Sequence, residues 1–449
     1  MPTKGKRKGL AKATAKFKPQ YKESTPAGLL IEKVDPAPKN AVNSPLSIAS
    51  GENGKLKRVL GLYDATAIDM GAIIGAGIFV VIGVAASVAG SGLIYSLLLA
   101  GAISYITALG YAELSKQIPK EGGEYEFAYK VISHQAGFID GILWSLSTTV
   151  SGAVVSLGFA SYFVVLYPGL DVKMIALGII AIMALLNIVG LKRSSYVNDA
   201  LVVMKIAILL FFILFGIGRI SYDNFEEPLG KGLGGIISGA AIIFFAFAGF
   251  GRSATIAEEV INPKTTIPRA ILLALTVCTA IYLLTGFVSI GMLGADKLSL
   301  SKAPIAEAIS LAGSRYAVIL VAIGALAATA SVLLTEILGI SRIAYSMARN
   351  SQLPAFLSKI HSKYGTPYVA ILSSAILMAL LALFVDFRQI IEMSSLGLLG
   401  YYAVTNLSAF MMKRKNGLME HLSRFRALIG LLSCVALMLY LAKNLLFGA

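Results

Sequence analysis

Apolar windows of about 20 residues, the length a helix needs to cross a bilayer, recur from about residue 60 to the end of the chain. They predict about eleven membrane helices, near 64–90, 93–115, 134–166, 172–190, 198–218, 234–257, 269–293, 314–345, 367–385, 389–411 and 426–447. Several exceed the minimum span, which implies tilt or extension into water. The first and sixth windows are interrupted by glycine, in GAIIGAGIF (Gly71–Phe79) and FFAFAGFG (Phe244–Gly251). Backbone stripped of helical partners is costly in lipid and survives only where it is buried in protein or lines a cavity. Interrupted segments at corresponding positions of two halves therefore point to a transporter's substrate site.

The placement of the breaks predicts an all-α integral membrane protein with a five-plus-five inverted repeat and discontinuous helices 1 and 6. The halves are 59–220 and 221–412, with a basic tail over 1–58 and an additional C-terminal helix over 413–449. Lys and Arg near helix ends set orientation. With the N-terminus in the cytoplasm, the inner loops hold Lys116 and Lys120, Lys192 and Arg193, Lys264 and Arg269, Arg349, Lys359 and Lys363, then Lys413, Arg414 and Lys415. The outer loops are poorer: Lys173 stands alone after the third helix, and Asp223, Glu226 and Glu227 dominate after the fifth. A multi-pass protein of the cell membrane with a cytoplasmic N-terminus is expected.

Composition agrees. The chain is 57% hydrophobic and 14% charged, against about 25% charged in soluble domains, and its mean hydropathy is +0.77. The first sixty residues lack the apolar core of a signal peptide. Cys278 and Cys434 fall inside apolar runs without disulfide or metal spacing, and His134, His361 and His421 do not pair. Without a nucleotide-binding loop or an acyl-transfer signature, no cofactor, no metal and no enzymatic activity are expected. The net charge of +15 is concentrated in the tail and in loops on one side, which argues against nucleic acid as a partner. The tail has too little apolar content to fold alone. It reads as a solvated extension, or as a clamp on anionic lipid at ~1 kcal/mol per basic residue near the surface.

The first break carries the candidate anion site. If the helix unwinds at Gly75, Ala76 and Gly77, the amides opening its outer half suit a carboxylate; the alternative is a small-residue packing seam through Gly71 and Gly75. Unwinding at Phe247, Ala248 and Gly249 would free carbonyls suited to an ammonium group, and Phe245 and Phe250 flank that gap as candidate covers or as ordinary core. An anion site facing a cation site fits an α-amino acid. Lys205 lies within the fifth segment, where burial penalises the charged form, so that proton uptake and release could accompany transport; a snorkelling lysine is the alternative. Glu336 and Asp69 are also intramembrane, as proton-handling groups or structural ion partners. EEVINPKTTIPRA (Glu258–Ala270) predicts a helix end at Asn262-Pro263 and a new start near Pro268.

Together, IIGAGIF (Ile73–Phe79), GGEYEF (Gly122–Phe127), NIVGLKRS (Asn187–Ser194), FAFAGF…EEVINP…IPRA and SRIAYSMARNSQLP (Ser341–Pro354) resemble the amino acid–polyamine–organocation superfamily of permeases, over about residues 55–412. The resemblance implies the leucine-transporter-type fold, in a family that usually has twelve spans. It also implies a carboxylate on the amides of Gly75, Ala76 and Gly77, and an amino group on carbonyls near Ile73, Phe245 and Ala248. Phe245 would be the aromatic gate. Lys205 would occupy the place of a sodium ion in sodium-coupled relatives, with the hydroxyls of Thr329 and Ser331 near it. Gly251 stands where some exchangers carry an acid, which argues against an acid-resistance antiporter.

The expected function is secondary active amino acid transport by proton symport. The alternatives are an amino acid or amine exchanger, and a transport-deficient sensor signalling through the tail. Expected partners are an amino acid, protons and membrane lipid, with no oligomeric state implied.

Overall fold

The computed structural model describes residues 58–119, 123–189, 195–225, 227, 229–349, 351–412 and 418–447. The tail up to residue 57, and the loop residues Lys120, Lys192, Arg193, Glu226 and Lys413 to Lys415, lie outside them. Helical segments occupy the predicted windows, the first and sixth in pieces. The first rod is α1 (Leu62–Ile73) and, beyond the break, α2 (Ile82–Ala89), followed by α3 (Leu93–Gln117), a short α4 (Gly123–Val131), α5 (His134–Leu166), α6 (Val172–Val189) and α7 (Ser195–Gly216). Then come α8 (Gly232–Ile243), α9 (Pro263–Leu293), short α10 (Ala295–Leu300) and α11 (Pro304–Ser310), α12 (Arg315–Arg349), α13 (Tyr368–Phe384), α14 (Phe387–Met411) and α15 (Leu418–Phe447). Among the described residues, eight spans are long and apolar enough to cross a membrane, with Leu62–Gln117 counted as one.

Local chemistry sets the boundaries. α3 stops at Gln117, before Ile118 and Pro119, because a residue preceding proline is pushed out of the helical region. Ser133 and Asp386 cap α5 and α14, accepting from the amides of Ala136 and Arg388, which satisfies donors the first turn leaves over. One expectation is corrected: α9 starts at Pro263, not near Pro268, which lies inside the helix. Asn262 takes a left-handed φ of 49° that turns the chain, and proline at the first helical position has no amide to leave unpaired.

Both expected breaks are present. After α1, Ile74 is extended (φ −76°, ψ 97°), and the chain re-enters helix through a wide π turn at Gly77–Val81, a device that recurs at functional sites. After α8, a tight 3₁₀ turn over Phe244–Phe247 runs into extended Ala248 (φ −59°, ψ 146°). Gly249 then takes φ +96°, a region that side chains resist. The rod continues as a 3₁₀ stretch, Arg252–Glu259.

The two rods are joined at one end. The amides of Val59 and Leu60 donate to the Glu259 carbonyl at 2.9 and 3.1 Å, and the Ile261 amide donates to the Leu60 carbonyl at 2.9 Å. Around them, α5 packs along α12 and α14, while α9 packs along α1 and α3.

Candidate substrate site

The first break releases carbonyls at the end of α1, and side chains from neighbouring rods collect them. Lys205 of α7 is 1% exposed; its Nζ donates to the Gly71 carbonyl at 3.0 Å and to the Ile74 carbonyl at 3.1 Å. Tyr282 of α9 donates to the Ile73 carbonyl at 2.8 Å. Beyond the break, Tyr162 of α5 donates to the Phe79 carbonyl at 2.6 Å. The last carbonyls of a helix carry partial negative charge, so an ammonium there is electrostatically matched as well as hydrogen-bonded. The Ile73 carbonyl, expected to meet a substrate amino group, already receives the Tyr282 hydroxyl.

The glycines of the first break serve close approach. A Cβ on Gly75 would lie 2.9 Å from Val332 Cγ2, and one on Gly77 would lie 2.3 Å from the Ala246 Cα. The two broken rods thus touch backbone to backbone. Gly75, Ala76 and Gly77 are buried, with Val332 against Gly75 and Ala246 against Gly77; of these five residues only Val332 lines the adjoining cavity.

That cavity is lined by Ala72 from the first rod and by Phe245, Ala248, Gly249 and Arg252 from the sixth. α5 adds Trp144, Ser147, Thr148 and Ser151; α12 adds Val332, Thr335 and Glu336; α14 adds Ser394 and Tyr401; α4 adds Glu124. Phe245, Ala248 and Gly249 are therefore brought together on one wall. Phe250 is not: it is fully buried, stacked on Tyr402 at 4.8 Å and edge-on to Tyr111 at 5.9 Å. Thr329 donates to the carbonyls of Ala325 and Leu326, and Ser331 to that of Ala328, so both hydroxyls bond their own helix.

The intramembrane acids divide. Asp69 is fully buried and accepts from the amide and the hydroxyl of Ser253, each at 2.7 Å, which makes it a brace between the rods. Glu336 lines the cavity and accepts from Ser151 Oγ at 2.5 Å. Arg252 sits with its guanidinium 5.9 Å from the Trp144 ring centroid. Burial pushes the Glu124 carboxyl above the usual range, a shift opposed in part by Arg252. Sequence reasoning missed the α5 contribution, although the hydroxyl run Ser145, Ser147, Thr148, Thr149 and Ser151 in an otherwise apolar helix was its signal.

A family model described as amino acid permease matches residues 60–448. The chain belongs to this amino acid permease family. It is 34% identical over 385 residues to an uncharacterized transporter of Mycobacterium tuberculosis, covering 85% of this chain and 86% of the relative. A branched-chain amino acid permease of Bacillus subtilis is 30% identical over 397 residues, covering 84% and 85%. A methylthioribose transporter of the same organism is 31% identical over 387 residues, covering 82% and 84%. As a member of the amino acid permease family, the chain is a multi-pass membrane protein of transporter type, as the sequence motifs implied.

Proposed function

We propose that this permease is a secondary active carrier of amino acids, coupled to protons through Lys205. The observation that carries the reading is the seat of the Lys205 amine on the carbonyls of Gly71 and Ile74, at the break itself. A protonated amine offers three donors and a positive charge to the helix end. Loss of the proton removes the charge and weakens the tether, freeing α1 to move against α7. Hydrogen bonds to charged groups are worth about 1.5–3 kcal/mol, comparable with the ~2.3 kcal/mol per 100 mV that one inward-moving proton supplies.

In this reading the two broken rods belong to halves 59–220 and 221–412, inserted in opposite senses with the N-terminus cytoplasmic. The substrate enters the cavity beside Phe245 and Ala248. Its carboxylate reaches the amides at Gly75, Ala76 and Gly77 once Val332 swings aside, and its amino group meets the carbonyls at the sixth break. The branched-chain amino acid permease among the relatives supports this substrate class.

Uptake of a panel of amino acids into proteoliposomes under an imposed inward proton gradient tests the proposal. Accumulation that depends on the gradient supports it. Uptake only into vesicles preloaded with substrate would make the protein an exchanger, and binding without flux would make it a sensor.

A further inference from the structure

Glu336, a residue of the cavity lining, leaves one of its carboxylate oxygens unpaired. Glu336 is 7% exposed; Ser151 donates to its Oε1, while its Oε2 is buried without a hydrogen-bond partner among the described residues. Buried polar atoms in native proteins are almost always paired, and a bare carboxylate oxygen is among the costliest exceptions. Beside a cavity, such an orphan acceptor is placed to take a donor that arrives with a ligand.

Position along α12 says which part of the ligand brings it. Val332 packs on Gly75 at the first break, and Glu336 lies one turn further on the same helix face, a rise of about 6 Å. A solute whose α-carbon groups are held at the breaks would extend its side chain along that turn. The four-carbon stem of a lysine-like side chain suits that reach, and its head would meet Oε2.

Charge agrees. The charged side chains lining the cavity are Glu124, Glu336 and Arg252, two acids and one base. Among the described residues, Arg252 makes no ion pair with either acid; its guanidinium lies instead beside Trp144. The other charged groups nearby are engaged elsewhere, Asp69 on Ser253 and Lys205 on Gly71 and Ile74. With both acids ionised the lining carries one net negative charge, which a cation arriving with the ligand would offset. The Ser147 and Thr148 hydroxyls can accept its remaining N–H groups.

We propose that Glu336 is the specificity-determining residue of the site and receives the cationic head of a basic α-amino acid of the lysine or arginine type. The inference rests on the carrier reading above and narrows it to a substrate class.

The experiment compares lysine with norleucine, which keeps the four-carbon stem but lacks the terminal amine. With full-length wild-type protein, lysine raises the melting temperature and exchanges in counterflow at least tenfold better than norleucine. Glu336→Gln lowers the ratio of lysine to norleucine counterflow at least tenfold. Equal treatment of lysine and norleucine by wild type, or an undiminished lysine preference in Glu336→Gln, overturns the inference. If Glu336→Gln does not fold, the wild-type pair decides alone. Wild-type flux of neutral amino acids without lysine sinks this inference and spares the carrier reading. Absence of flux for every α-amino acid sinks both.

Discussion

Asp69 accepts two hydrogen bonds of 2.7 Å from Ser253, one from its amide and one from its hydroxyl, across 184 positions of sequence. With the backbone bonds joining Val59 and Leu60 to Glu259, this pair makes α1 and the stretch Arg252–Glu259 a single braced unit. Asp69→Ala strands a buried amide and a buried hydroxyl at about 1–3 kcal/mol each. A marked fall in melting temperature in detergent is expected, and Asp69→Asn, which keeps one acceptor, should recover part of it. An unchanged melting temperature for Asp69→Ala would show that the brace is not holding.

Gly77 is a second point of contact between the rods. Gly77→Ala places a Cβ 2.3 Å from the Ala246 Cα, backbone against side chain with nowhere to yield. Overpacking of this kind costs about 1–3 kcal/mol. Gly178→Ala, where nothing lies within 4 Å of the new atom, is the matched control and should melt as wild type does.

The two phenylalanines at the sixth break separate by role. Phe245 lines the cavity, so Phe245→Leu should change the substrate concentration for half-maximal uptake several-fold with little loss of folded protein. Phe250 is packed between Tyr111 and Tyr402. Phe250→Ala should cost about 3–5 kcal/mol of stability, read as lost folded yield on size-exclusion chromatography.

Glu124 makes a prediction in pH. Burial holds its carboxyl above the ordinary range, so the folded state binds that proton more tightly than the unfolded chain, whose glutamates titrate near ~4.3. The stability this contributes is fully present below the unfolded value and is lost as pH rises through the raised folded value. Glu124→Gln removes the titration. Relative to wild type, the variant should gain melting temperature at neutral pH, with the gap closing near pH ~4; a gap independent of pH would contradict the assignment.

Local pattern carried the sequence reading as far as local pattern reaches. Glycine interruptions mark where a helix can break, and a lysine amid apolar residues marks an unusual demand, so Gly75, Gly249 and Lys205 were legible. What the breaks touch was not. Val332 against Gly75, Ala246 against Gly77 and Tyr282 on the Ile73 carbonyl are pairings between rods far apart in sequence, set by packing rather than by any neighbouring residue. Asp69 and Glu336 looked alike as intramembrane acids. Only the three-dimensional arrangement separates the brace on Ser253 from the carboxylate in the cavity. The start of α9 was misplaced because two prolines, Pro263 and Pro268, both read as helix openings.

In the proposed mechanism the Lys205 amine couples a proton to movement of the first rod. The most direct test is uptake of a transported amino acid into proteoliposomes under an inward proton gradient, comparing wild type with Lys205→Met. Wild type should accumulate substrate; Lys205→Met should lose at least tenfold of gradient-driven uptake while substrate still raises its melting temperature. Full gradient-driven accumulation by Lys205→Met would contradict the account.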